Sequence, residues 1–329
     1  MPEENKKPKQ KVSGIEIFPV PFSLGEIKEN IAITTNSPSK PSKEQIIKQA
    51  IQFHLQGNIS EATKYYQYFI NQGLDDHRVF SNYGIILKGL GKFKEAEIEI
   101  QKSINISFCQ NINSKYREHC IKYISLSKSQ FRQDLFALSE LNFKKNGFFV
   151  EFGSYDGLVG SNSYLLEKFF NWNGILAEPG FYWHSRLKKN RSASIETKCV
   201  WKSSGEEILF KEIDNYKQLS TIDYFSQSYS SNEALAAGKR YKVQTISLLD
   251  LLNKYRAPKY IDYLSIDTEG SEYEILKAFD FDQYKFRVIT CEHNFTPLRD
   301  KIYDLLIHKG YKRKLTTISR VDDWYILAE

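Results

Sequence analysis

Phe148 to Asn162 reads FFVEFGSYDGLVGSN. An apolar run, Phe148-Phe149-Val150, ends in Glu151; Gly153 and Gly157 follow, and the pattern reopens as a helix from about Ser161. α/β proteins hold nucleotide-like ligands on a strand that breaks into glycines and restarts as a helix. The glycines let backbone come close to the ligand, and the helix N-terminus offers unpaired N–H groups.

The spacing narrows the choice. A dinucleotide fingerprint needs glycine at the first, third and sixth positions, where the backbone meets a pyrophosphate. Counted from Gly153, the third and sixth positions are Tyr155 and Leu158, and no G-x-x-x-x-G-K-[ST] run occurs in the chain. What stands is E-x-G-x-x-x-G, at Glu151, Gly153 and Gly157. This resembles the first motif of doubly wound S-adenosyl-L-methionine-dependent methyltransferases, whose cofactor carries no pyrophosphate. The resemblance implies cofactor contacts from Glu151, Gly153, Tyr155, Gly157 and Asn162.

A second acid supports that reading. Asn173-Gly174 marks a turn, Ile175-Leu176-Ala177 a short buried strand, and Glu178-Pro179 its end. An acid about 20 residues past the glycine loop, at the end of the next strand, is placed to accept hydrogen bonds from both ribose hydroxyls. Glu178 is therefore assigned to the cofactor.

The 329 residues are enough for roughly two domains at about 100–200 residues each, and 22 Phe with 21 Tyr supply ample core material. A net charge of +6 does not by itself point to nucleic acid. Cys109, Cys120, Cys199 and Cys291 form no CxxC pair and no zinc spacing. No long apolar run suggests a membrane span. The lysine-rich start lacks the apolar segment of a signal peptide, so a cytoplasmic protein is expected.

Three regions are expected. Residues 1–42 read as a disordered tail ending in a Ser/Pro linker. Residues 43–143 are helical and repeat themselves. Gly57-Asn58-Ile59-Ser60-Glu61-Ala62 returns as Gly91-Lys92-Phe93-Lys94-Glu95-Ala96, a shift of 34 residues. That period, with glycine at the turn and a small alanine in the second helix, resembles tetratricopeptide repeats. Such a pair implies either a groove for a protein partner or a helical cap, and two good copies favour the cap. Residues 147–329 carry the glycine loop and alternate strand with helix, as a parallel sheet requires. Ser194 to Val200 reads as one strand, and residues 214–240 as a lid or substrate loop.

Ile261 to Leu276, IDYLSIDTEGSEYEIL, gives a buried strand ending in Asp267, a turn at Gly270 and a helix after Ser271. Asp267 and Glu269 thus sit where open α/β sheets place their sites. Val288 to Cys291 forms the next strand and runs into Glu292-His293-Asn294.

Val150-Glu151-Phe152-Gly153, Ser161-Asn162, Leu166-Glu167, Gly174, Glu178-Pro179 and Ile266 to Glu272 together resemble the FkbM-type methyltransferases. Membership would imply a doubly wound, Rossmann-like seven-stranded methyltransferase sheet closed by an antiparallel hairpin, here joined to an all-α tetratricopeptide-like domain. It would also imply O-methylation of a hydroxyl on a sugar, glycan or small metabolite. A hydroxyl acceptor must lose its proton, so a base within hydrogen-bond reach is sought. His293 has the right intrinsic pKa. Asp267 could take the proton, orient His293 or hold the cofactor's amino group. Glu292 could contact substrate or a metal, and Asp267, Glu292 and Asn294 would make an all-oxygen set for Mg²⁺. The base model is preferred, with His293, Asp267 and Glu292 as catalytic residues and the metal question left open. Two other classes compete. An inactive scaffold is disfavoured by the intact Glu151, Gly153, Gly157 and Glu178. An amino-methylating nucleic-acid enzyme is disfavoured because no N/D-P-P-Y/F run occurs.

Overall fold

The computed structural model describes residues 41–226 and 237–328. The expected tail, up to residue 40, and residues 227–236 of the expected lid lie outside the described residues. The chain divides into two compact units between Ser107 and Phe108.

The first unit holds α1 (Lys43–Leu55), α2 (Ile59–Asn71), α3 (His77–Gly89) and most of α4 (Phe93–Asn111). Ser42 and Gln45 form a capping box at the start of α1, and Asp76 caps α3. Arg78 ties these two helix starts together by bonding both Glu44 and Asp76. Ala50, Ala62, Tyr66 and Phe69 bury one face of each of α1 and α2. Gly84 lets α3 lie against α4, since a Cβ there would stand 2.7 Å from Ile100 Cγ1 and 3.2 Å from the Ala96 carbonyl.

The second unit adds α5 (Arg117–Tyr123) and α6 (Gln133–Glu140), then a seven-stranded sheet. Its strands are β1 (Phe148–Phe152), β2 (Asn173–Ala177), β3 (Ser194–Glu196), β8 (Tyr260–Ile266), β9 (Lys285–Glu292), β10 (Tyr311–Lys314) and β11 (Asp322–Leu327), in the order β10-β11-β9-β8-β1-β2-β3. All pairs are parallel except β9–β11 and β10–β11. The expected closing hairpin is therefore present. Helices α7 (Tyr164–Phe170), α8 (His184–Asn190), α9 (Leu248–Lys254), α10 (Glu272–Ala278) and α11 (Leu298–His308) connect the strands. Continuous apolar strands such as β1 and β8 are what a sheet covered on both faces demands. Val150, Ile175, Leu264 and Ile289 fill the centre of the core. β1 lies between β2 and β8, so the chain reverses direction across the sheet there and opens a crevice at the carboxyl ends of these strands.

The pattern departs from expectation in two places. Ser194 to Val200 is two strands in two sheets: β3 pairs with β2, whereas β4 (Cys199–Trp201) pairs with β7 (Gly238–Ser247). The Glu196 carboxylate accepts from the Lys198 N–H, which turns the chain between them. β4 and β7 join β5 (Glu207–Ile213) and β6 (Thr221–Ile222) in a separate sheet of order β4-β7-β5-β6. Residues 108–143, grouped by sequence with the helical region, pack in the second unit. Phe136 stacks on Trp324 at 4.8 Å, Phe108 meets the same ring edge-on, and Gln133 donates to Asp322. Among the described residues, no helix is long and apolar enough to cross a membrane.

Trp324 is fully buried between these rings, so Trp324→Ala should cost about 3–5 kcal/mol. Denaturant titration of the full chain checks this; a loss under about 1 kcal/mol would mean that α6 and β11 do not share a core.

Candidate functional site

The glycine loop is built from beneath. Glu151, at the penultimate position of β1 and 3% exposed, accepts from Ser161 Oγ (3.0 Å), the Asn162 N–H (2.7 Å) and Ser163 Oγ. Arg191, just past α8, has a fully buried side chain. Its guanidinium donates to the Gly157 carbonyl, Ser161 Oγ, Ser163 Oγ and Glu167, and lies 3.8 Å from Glu151. Loop and helix start are thus clamped to β1 by one carboxylate and one guanidinium.

The glycines serve the chain's own packing. A Cβ on Gly153 would stand 1.9 Å from the Asp267 carbonyl, and one on Gly157 would stand 2.4 Å from Arg191 Cγ. Both have positive φ, 70° and 73°. Gly153 thus lets the ends of β1 and β8 meet, and Gly157 makes room for Arg191, needs that stand beside the close approach to a cofactor expected of both. Glu151, Gly157 and Asn162 are not among the residues that line the cleft, contrary to the direct contacts expected of them. The Glu151 oxygens are occupied by the loop, and Asn162 Nδ2 donates to Ser265 Oγ on β8.

The cleft itself is lined by Gly153, Tyr155, Glu178, Asp267, Thr268 and Glu269 from the main sheet. Phe210 and Ile222 of the smaller sheet close it. Glu178 is 4% exposed; one oxygen accepts from the Tyr155 N–H (2.9 Å), the other from the Gly180 N–H (2.7 Å). Each oxygen keeps a lone pair, so the pair of ribose hydroxyls expected there fits the acceptor set. Burial pushes this carboxyl up to about 7, against the pull of those two N–H groups. Tyr155, at φ 47°, rests against Trp183. Burial, with the Asp267 charge adding to it, pushes the Tyr155 phenol well above its usual range, so the hydroxyl stays protonated.

At the other side stand the acids. Asp267, Glu269 and Glu292 bring one carboxylate oxygen each to within 4.8 Å of the others. Burial first, then the mutual charges of Asp267, Glu269, Glu272 and Asp322, push Asp267 and Glu292 well above the usual carboxylate range. Glu272 does more than complement a helix dipole: it accepts from the Thr268 and Gly270 N–H groups and so shapes the loop after β8. Thr221 Oγ1 of β6 donates to the Glu269 carbonyl, fastening the smaller sheet to that loop.

His293 does not join them. Its Nδ1 accepts from the Phe295 N–H (2.9 Å), its Nε2 lies 3.8 Å from Asp323, and it is 4% exposed. Burial pushes it down to about 4. Its one acceptor nitrogen is taken by backbone, which weighs against the general-base role expected of His293. Asn294, expected beside Asp267 and Glu292, instead turns its amide toward Glu269 (3.4 Å). Sequence reasoning missed Arg191 and the covering sheet, because both depend on contacts between segments far apart in the chain.

A sheet ordered 3-2-1 and then outward to an antiparallel hairpin, with a glycine loop after β1 and an acid after β2, is the doubly wound methyltransferase-type sheet expected from the sequence. Residues 151–313 match the family model described as methyltransferase FkbM domain. No curated protein matches the sequence. Among solved structures, the chain is similar to precorrin-6y C5,15-methyltransferase of Geobacter metallireducens GS-15, at 12% identity and a TM-score of 0.31, over 59% of this chain and 86% of that one. It is also similar to a human methyltransferase 10 domain containing protein, at 13% identity and 0.30, over 59% and 80%. A third is MtNAS in complex with MTA and tNA, at 11% identity and 0.28, over 87% and 97%. TM-scores this low carry no argument.

Removing one partner of a buried charge pair costs about 3–5 kcal/mol, so Arg191→Met should destabilise the second unit by that order, with Ser161 and Ser163 losing amide protection. Hydrogen exchange showing an unchanged loop in a folded Arg191→Met protein would remove Arg191 from this account.

Proposed function

We propose that the protein transfers a methyl group from S-adenosylmethionine to a hydroxyl oxygen of a sugar, glycan or other small metabolite. The observation that carries this reading is Asp267 Oδ1, a buried carboxylate oxygen without a hydrogen-bond donor on a residue that lines the cleft, with Glu292 Oε2 in the same state at the end of the neighbouring strand. A hydroxyl acceptor supplies the donor that such oxygens need.

When bound, the cofactor supplies a methyl group on a sulfonium. Glu178 holds the ribose end, the loop from Gly153 to Tyr155 forms the floor, and Phe210 and Ile222 keep water from the cleft. In the transfer the carbon–sulfur bond breaks as the carbon–oxygen bond forms, and the electron pair stays on sulfur. The hydroxyl proton leaves to the acidic group at the ends of β8 and β9, and from there to water. Alignment of donor and acceptor supplies much of the rate. The helix pairs of the first unit are read as tetratricopeptide-like: α1 and α3 start at Lys43 and His77, α2 and α4 at Ile59 and Phe93, each 34 residues apart.

Calorimetry and a methyl-transfer assay over hydroxylated metabolites and glycans test the reading. Glu178→Ala should weaken cofactor binding by roughly 1.5–3 kcal/mol, the worth of hydrogen bonds to a charged group. Because Glu178 takes up a proton as pH falls through about 7, cofactor affinity should fall over that interval, and Glu178→Gln should flatten the profile. Asp267→Asn should lower turnover by about 10²-fold or more with cofactor affinity nearly kept. His293→Ala should leave turnover within about threefold, in contrast to the 10²–10⁴-fold expected of a base. A His293→Ala protein that folds, binds cofactor and is inactive would restore the histidine as base.

A further inference from the structure

Five acids surround the end of β8, and three of them have partners of their own, Glu269 facing the Asn294 amide at 3.4 Å. Glu272 is held by the Thr268 and Gly270 N–H groups, and Asp322 accepts from Gln133. Asp267, Glu269 and Glu292 each bring one carboxylate oxygen to within 4.8 Å of the others. Glu292 is 8% exposed, and its Oε2 is buried with no hydrogen-bond partner; Asp267 Oδ1 is in the same state. Among the described residues, no lysine or arginine makes an ion pair with Asp267 or Glu292. Burying a carboxylate oxygen without a partner is expensive, and the two of Asp267 and Glu292, converging with Glu269, call for positive charge in their midst.

We infer that Asp267, Glu269 and Glu292 form a binding site for a divalent, oxygen-preferring cation at the acceptor side of the cleft. The donor chemistry is all carboxylate, which suits Mg²⁺, Mn²⁺ or Ca²⁺ over softer metals. The spacing agrees. Ligand oxygens on opposite sides of Mg²⁺ lie about 4.2 Å apart, and of Ca²⁺ about 5 Å, while these three lie within 4.8 Å of one another. The three come from two neighbouring parallel strands, with Asp267 and Glu269 just after β8 and Glu292 closing β9. The sheet therefore holds the ligands at fixed separation. Asp267 and Glu269 also line the cleft, which leaves the cation's remaining positions facing the space where an acceptor enters. An acceptor with two neighbouring oxygens could fill two of them. This deepens the functional reading above and rests on it for the acceptor, though not for the cation.

The test uses the full chain and Mn²⁺ alone, followed by electron paramagnetic resonance and by calorimetry, with no methyl-transfer step. One Mn²⁺ per chain should bind, and Mg²⁺ should displace it. Glu292→Gln, and separately Asp267→Asn, should each weaken Mn²⁺ binding by about tenfold or more, with thermal melts confirming that the variants fold. Cofactor affinity in the Glu292→Gln protein should stay within about threefold. No bound Mn²⁺ in the parent protein, or binding that both substitutions leave unchanged, overturns the site. Because the readout is the metal itself, the two failures separate. Cofactor binding and methyl transfer without Mn²⁺ uptake would sink the cation site alone. Mn²⁺ uptake in a protein that transfers no methyl group would leave the site standing and sink the acceptor reading.

Discussion

The pairing of Glu151 with Arg191 is the constraint on which the site depends. A carboxylate at the end of a central strand and a guanidinium brought in from beyond α8 are both taken out of water. Neither could be buried alone without a large penalty. Together they consume the hydroxyls of Ser161 and Ser163, the Asn162 N–H and the Gly157 carbonyl. That leaves the loop after β1 one conformation. With the loop fixed, Tyr155 presents its N–H to Glu178, and Glu178 keeps its free lone pairs on the cleft side. The cofactor end of the site is thus a consequence of a network that does not itself line the cleft.

The acceptor end is built on a different principle. Glu151 is buried with its partners supplied, whereas Asp267 and Glu292 are buried with an oxygen each left over. Folding alone gains nothing from such groups, and their cost is what a preorganised site carries in order to bind something later. Glu272 shows the contrast within one loop: it is as enclosed as its neighbours, yet backbone N–H groups satisfy it, and its work is to shape the turn that carries Asp267 and Glu269.

Much of this could be read from the chain beforehand, and the reasons are local. Phe148 to Phe152 and Ile261 to Ile266 are largely buried parallel strands, so each announces itself as a mainly apolar stretch with an acid at or near its end. Glu178 follows from its distance to the glycine loop. What escaped reading is non-local. Nothing in Ser194 to Val200 says that the chain changes sheets midway, because the two partners, β2 and β7, are far away in sequence. Arg191 looks like one more basic residue at a helix end until its guanidinium is seen under Gly157. His293 is adjacent to Glu292 in sequence, but the chain leaves β9 at that residue, its N–H going to the Val321 carbonyl, and the ring turns to the Phe295 N–H. Adjacency suggested a base; the hydrogen bond accepted by Nδ1 weighs against it.

A crystal structure of the full chain with S-adenosylhomocysteine bound would test the central claim most directly. The account predicts the nucleoside in the cleft between the ends of β1, β2 and β8, with both ribose hydroxyls donating to Glu178 and the loop held as here by Glu151 and Arg191. The same compound seated elsewhere, or a Glu178 carboxylate that makes no contact with it, would contradict the account.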